Sequence, residues 1–259
     1  MSLRDYLSAV VLMLAAAPAS AFDLYDATAF LDKPDLSSYG IQPLAIVGSG
    51  LLGKRRDQDI RAAAQPYAKA TGYVLLDIED LCVDERACPL AQVRKNIDKL
   101  VHYLAVFRIV ANRAKLGYYS VIPIRDYWSP VSGEPDRIAA WQHANDQLGK
   151  LADAVDAIFP SIYTFYPDRA GWEVYANANI DEAQAYGKPV YPFLWMDYHA
   201  EPPDQPLEAD YWTLELQTCE GAADGAVIWG GWHFGDPYGR EEWDAKAPWW
   251  LATLDFIAP

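Results

Sequence analysis

The feature that most constrains the fold is an alternation. Short apolar runs of strand length take turns with stretches of helical periodicity along the chain. The runs are 44–47 (LAIV), 73–80 (YVLLDIED), 118–124 (YYSVIPI), 157–165 (AIFPSIYTF), 190–195 (VYPFLW) and 226–229 (AVIW), with 22–25 (FDLY) as a seventh candidate. Between them, 59–70, 89–116, 136–155, 172–186 and 209–219 read as helices, and 248–256 closes the chain. The clearest is 89–116, with Val93, Ile97, Leu100, Leu104 and others at three- and four-residue spacing. Strand–helix alternation implies right-handed crossovers and a parallel sheet. No linker, composition break or repeat divides the sequence. A chain of 259 residues, 52% of them hydrophobic, can build one core, and a closed sheet is the economical solution at about 250 residues. The expectation is an α/β fold, a (β/α) TIM-like barrel formed by 22–259 as a single domain, with its active site at the C-terminal strand ends.

Residues 1–21 read as a secretory signal: Arg4 gives a weak positive start, 6–17 an apolar core, and Ala19-Ser20-Ala21 an A-x-A cleavage site before Phe22. That predicts a secreted or periplasmic protein, and no later segment has the length of a membrane span. In an exported protein Cys82 and Cys88 are candidates for a small disulfide loop. Cys219 falls in a helical pattern and reads as a buried thiol. The net charge of −15 argues against nucleic acid as a partner, because phosphate binding needs clustered Lys and Arg. It also argues against a polyanionic substrate unless a local basic patch offsets it.

Within this frame 73–80 stands out. Alternation along a strand puts Asp77 and Glu79 on one face and Asp80 on the other. Two carboxylates at close range cannot both ionise easily, so one should hold its proton to higher pH, as a general acid requires. The competing structural reading is that these acids cap the next helix or pair with a base such as Arg86. Gly48, Gly50 and Gly53 satisfy G-x-G-x-x-G, but Lys54-Arg55-Arg56-Asp57 follows in place of an apolar helix start, so a dinucleotide site is set aside.

The other strand ends are alike in chemistry. They carry Arg125, Asp126, Tyr127 and Trp128, then Tyr163 and Tyr166, then Trp195, Asp197 and Tyr198, then Trp229, Trp232 and His233. Carboxylates among Tyr and Trp suit a sugar: aromatic faces take the apolar faces of pyranose rings, while hydroxyls and acids take the sugar hydroxyls. For any one aromatic, core packing is the alternative. His199 and His233 read as polar rim residues, since no metal-binding spacing occurs.

These residues, in this order, resemble the hyaluronidase family of glycoside hydrolases. Leu75-Leu76-Asp77-Ile78-Glu79 is similar to the family's V-I-D-W-E, 159–163 is identical to its F-P-S-I-Y, and Pro189-Val190-Tyr191 matches its P-V-Y. Residues 122–127 (IPIRDY) resemble F-P-x-C-Y with one extra residue, and 221–229 (GAADGAVIW) resemble G-A-A-G-V-V-L-W. The resemblance implies a distorted seven-stranded (β/α) barrel and retaining hydrolysis of β-linked N-acetylhexosaminides, with the substrate's 2-acetamido group as nucleophile. Glu79 would be the general acid and then the base. Asp77 would stabilise the acetamido group as it becomes an oxazolinium ion. Tyr163 would hydrogen-bond near that group, Tyr127 would line the subsite, and Trp229 would form its floor. Arg125, Asp126, Trp195, Asp197 and Trp232 complete the expected substrate-binding set. No metal or cofactor is implied. The sequence departs from the family at Ile78, where the family has an aromatic residue, and lacks the cysteine-rich C-terminal module of the animal enzymes. A lysozyme-like muramidase acting on peptidoglycan and a non-catalytic glycan-binding barrel are the alternatives.

Overall fold

The computed structural model describes residues 22–199, 205–233 and 239–258; the expected signal sequence lies outside the described residues. Strand β1 (Asp23–Asp26) is followed by the two-residue β2 (Gln42–Pro43) and by β3 (Ala45–Gly48). Helix α1 (Asp57–Ala64) leads to β4 (Tyr73–Asp77), and α2 (Leu90–Val110) leads to β5 (Lys115–Tyr118). Then come α3 (Trp128–Ser132), α4 (Pro135–Asp146), α5 (Gly149–Ala154), α6 (Arg169–Gln184), β6 (Phe193–Trp195), α7 (Ala209–Ala222) and β7 (Gly225–Trp229). A small antiparallel pair, β8 (Trp232–His233) and β9 (Gly239–Arg240), precedes α8 (Pro248–Ile257).

The larger strands form two parallel sheets, ordered β2-β1-β7-β6 and β3-β4-β5, with helices in the connections, which is an α/β fold. Residues 157–163 lie between β5 and β6 as single parallel bridges rather than a regular strand: Tyr119 with Phe159, Ile158 with Val190, and Ser161 with Phe193. Hydrogen bonds nonetheless cross from β5 to β6, for example Ser120 N to Phe159 O at 3.0 Å and Phe193 N to Pro160 O at 2.7 Å. Pro160 and Pro192 have no N–H to donate, which explains why the ladder is broken where the sequence predicts continuous strands.

The helices differ from expectation at their ends. The predicted 59–70 helix is α1 over Asp57–Ala64 followed by a 3-10 turn at Gln65–Tyr67, where Pro66 removes a donor. Helix α2 stops at Val110, because the chain must turn to lay Lys115 beside Tyr73 in β4. The predicted 136–155 helix is two helices, α4 and α5, and the short α3 was not expected. Gly48, Gly50 and Gly53 lead into a 3-10 turn, Ser49–Leu52, and not into a phosphate-binding helix.

The space between the sheets is filled by rings. Tyr73 of β4 meets Tyr25 of β1 (centroids 5.6 Å apart), Tyr191 (5.3 Å) and Phe159 (5.3 Å). Tyr73, Leu75 and Asp77 alternate onto one side of β4, so the side that carries this aromatic floor also carries Asp77, and Glu79 follows two residues past it. The opposite side, with Val74, Leu76 and Ile78, is buried as well, which is the two-sided burial of a parallel strand. Gly117 of β5 has no room for a side chain: a Cβ there would lie 2.7 Å from the Phe159 ring and 3.1 Å from Leu75. The close packing of the floor thus depends on a glycine at that point. No helix among the described residues is long and apolar enough to cross a membrane.

Candidate active site

The carboxylate face emerges where β4 runs out. Ile78 is buried, and on either side of it Asp77 is half-buried and Glu79 is exposed. Among the described residues no ion pair holds either acid. Arg86 pairs instead with Asp84 (2.8 Å) and Asp126 (2.6 Å), and Asp80 pairs with Arg55 (2.8 Å). Helix α2 begins at Pro89 without a side-chain cap. The structural reading of the two acids, as caps or as partners of Arg86, is therefore not what the fold does with them. Burial first, and the Glu79 charge second, push the Asp77 carboxyl up to about 6.

Glu79 shares a cleft of ≈190 Å³ with Ile78, Leu81, Ser120, Val121 and Arg125. Arg125 reaches back to Ser161 Oγ at 3.5 Å and lies over the Phe165 ring, 5.1 Å from its centroid. Two phenols complete this wall. Tyr119 and Tyr163 interact through their hydroxyls, and both sense the Glu79 carboxylate and the Arg125 guanidinium. Burial raises both phenols, so they are hydrogen-bonding groups and not bases near neutral pH. Tyr119 is a residue that the sequence reading passed over. The signal was alternation: Tyr118 sends its hydroxyl to Leu100 O of α2 at 2.8 Å, so its neighbour must face the other way.

Beyond Tyr163 stands an aromatic box. Its ring lies 5.7 Å from Trp229, nearly parallel, and 5.5 Å from Trp195; the two indoles are 5.0 Å apart, edge to face. His199 joins it, 5.5 Å from Tyr163 and 5.2 Å from Trp195. Asp197 Oδ2 accepts from Trp195 Nε1 at 3.1 Å, which fixes the indole. Trp232, in β8 opposite Arg240, is half-buried.

Asp126 and Tyr127 are placed differently. Asp126 accepts from Ser129 N (2.8 Å) and Ser129 Oγ (2.7 Å) in the first turn of α3, binds Arg86, and has its backbone clasped by Asn179. Tyr127 packs among Phe165, Tyr166 and Tyr175, with its hydroxyl toward the start of α6. Arg125 and its two followers thus diverge although they are adjacent in sequence. Cys82 and Cys88 are bridged, which closes the loop that leads from β4 to α2. Cys219 is buried. Among the described residues no group of His, Cys, Asp or Glu is arranged to hold a metal ion.

The arrangement offers two adjacent carboxyls, one of them with raised proton affinity, a neighbouring cation, paired phenols and aromatic faces. It can deliver and take up a proton beside a ring-shaped ligand. No protein-family model matches the sequence, and no curated protein matches it. Among solved structures, bee venom hyaluronidase superposes with a TM-score of 0.66 at 16% identity, over 81% of this chain and 91% of that one. The same enzyme in complex with a hyaluronic acid tetramer gives 0.60 at 15% identity, over 91% and 94%. At these identities the likeness is one of architecture, and the chain has a hyaluronidase-like α/β fold.

Proposed function

We propose that this protein is a glycoside hydrolase that cleaves β-linked N-acetylhexosaminide glycans by substrate-assisted retaining catalysis. The observation that carries the reading is the Asp77–Glu79 pair. It stands at the C-terminal end of β4, with Asp77 raised to about 6 and, among the described residues, no ion pair on either acid. Structural carboxylates at strand ends are ordinarily paired; a raised, accessible one suits acid–base work.

In this reading Glu79 protonates the glycosidic oxygen as the bond to the anomeric carbon breaks. The acetamido oxygen of the same sugar attacks that carbon, and Asp77 stabilises the cyclic oxazolinium. Glu79 then takes a proton from water, which opens the ring with net retention, the substrate-assisted variant of the two-carboxylate scheme. Tyr163, supported by Tyr119, hydrogen-bonds the acetamido group. Trp229 and Trp195 form the apolar floor, and Arg125 and Asp197 take sugar hydroxyls. Trp232 lies at the edge of the ligand. Asp126 and Tyr127 contribute by fixing the wall behind Arg125.

The same reading completes the architecture. The bridges of 157–163 serve as the missing strand of a distorted seven-stranded (β/α) barrel, with 22–259 as one domain behind a signal sequence at 1–21, in a secreted or periplasmic protein. The disulfide and the superposition on bee venom hyaluronidase support it.

The test is turnover. The mature protein and Glu79→Gln are incubated with chitin oligomers, hyaluronan, chondroitin and peptidoglycan; reducing ends are counted and products weighed. The parent is expected to cleave an N-acetylhexosamine glycan and the variant to lose roughly two or more orders of magnitude. Equal activity in both proteins would remove Glu79 from the chemistry.

A further inference from the structure

We propose that the glycan taken at this site is uncharged, and that a polyuronate such as hyaluronan is a poor ligand. This specificity rests on the glycosidase reading above. It comes from where the basic side chains of the strand-end loops are spent.

After β1, Lys33 is bound to Asp26 at 2.6 Å and to Thr28. After β3, Arg55 pairs with Asp80 (2.8 Å) and Arg56 with Asp59 (2.9 Å). After β4, Arg86 is shared by Asp84 and Asp126. At the start of α6, Arg169 is held by both oxygens of Asp210. After β8 and β9, Arg240 gives its guanidinium to the carbonyls of Ala29 and Phe30, and Lys246 shares a surface groove with Asp210 and Asp255. Among the described residues of these loops Lys54 and Arg125 are what remains, and of the two Arg125 lines the cleft with Glu79. Residues 200–204 and 234–238 add Glu201, Asp204 and Asp236 to the sequence and no Lys or Arg.

A polyuronate brings a carboxylate on every second sugar. One arginine can meet one of them; the others would enter a field set by Asp77, Glu79, Asp197 and a net charge of −15. Burial, and after it the Glu79 charge, already disfavours ionised Asp77, so a bound uronate beside the pair would raise the cost of ionising it further. Charge of one sign along a cleft changes encounter rates by about 10 to 1,000-fold at low salt. An uncharged N-acetylhexosamine chain meets none of this and uses the aromatic box in full.

The experiment compares chitin oligomers with hyaluronan oligomers of equal length at ionic strengths of about 0.01 M and 0.15 M, over which the screening length falls from about 30 Å to about 8 Å. The parent supplies kcat/KM, and Glu79→Gln supplies Kd by calorimetry. We expect the chitin oligomer to be preferred by at least about tenfold at low salt, with less than about a twofold salt effect, and hyaluronan binding to improve as salt rises. Asp80→Asn, which releases Arg55, should favour hyaluronan a few-fold and leave the chitin oligomer unchanged. Hyaluronan bound or cleaved better than the chitin oligomer, with salt weakening it, overturns the inference and leaves the hydrolase reading standing. Preferential binding of the chitin oligomer without cleavage of either glycan sinks the hydrolase reading and keeps the ligand assignment. Failure to bind either overturns both.

Discussion

Two of the carboxyls that desolvation has pushed up, Asp77 and Glu215, mark regions that meet at the Tyr163–Thr164 segment. Asp77 ends β4 beside Glu79, whose charge it senses. Glu215, on α7, is fully buried behind the same wall, where Oε1 accepts from the Thr164 hydroxyl and Oε2 finds no hydrogen-bond partner among the described residues. Burial raises Glu215 well above the usual carboxylate range and lifts the neighbouring Cys219 thiol with it. Tyr163 and Thr164 are adjacent: one turns toward Glu79 and the other toward Glu215. Raised proton affinity alone therefore nominates no active site. A reacting carboxyl must also meet its substrate, and Glu79, beside Asp77, lines a cleft, whereas Glu215 is fully buried.

The comparison can be broken most directly by rate. Glu79→Gln is expected to lose at least about 100-fold in kcat/KM, whereas Glu215→Gln, which keeps the shape and the acceptor for Thr164, should stay within about threefold. Similar losses in both would mean that the two regions act as one. A smaller effect is in the pH profile. Asp77 stabilises the oxazolinium as a carboxylate, so its proton must leave before it can act. Activity should rise as pH climbs through about 6, the value to which Asp77 is pushed, and in Asp77→Asn that limb should leave pH 6. Glu215→Gln should not move it.

The smallest effect is on stability, and there the two regions should agree. A carboxyl whose folded pKa lies above its unfolded one makes the fold more stable when protonated. That advantage is full below the unfolded pKa of about 4 and is lost as pH rises through the folded value. Asp77→Asn should raise stability by about 1 kcal/mol at pH 8 after allowance for solvent screening, and leave it unchanged at pH 3. Glu215→Gln should follow the same sign, with a Tm gain of about 2–4 °C per kcal/mol for a protein of this size. Thermal melts at the two pH values check both; a gain at low pH would contradict the assigned direction.

Much of the fold was legible because it is written in local periodicity. The apolar run before Asp77 forms β4 within a residue or so of expectation, and α2 follows its three- and four-residue pattern. What local pattern could not supply was the behaviour of segments that leave regular geometry. Residues 119–127 turn away after Ser120, whose φ is +53°, so alternation no longer says which way Arg125, Asp126 and Tyr127 point. The break at 157–163 follows from prolines, yet whether its carbonyls still find partners depends on β5 and β6 lying on either side.

By itself the sequence determined that Asp77 and Glu79 share a face, that Cys82 and Cys88 are close enough to bridge, and that strands alternate with helices. Those are consequences of chain geometry over a few residues. Only the tertiary structure decided that Arg86 would go to Asp84 and Asp126 and not to either acid, that Asp77 would be desolvated while Glu79 stayed exposed, and that Tyr119 would stand beside Tyr163. Each of these depends on distances between residues far apart in sequence, and the energy of a charge or a buried hydroxyl is set by those distances and by the water they exclude.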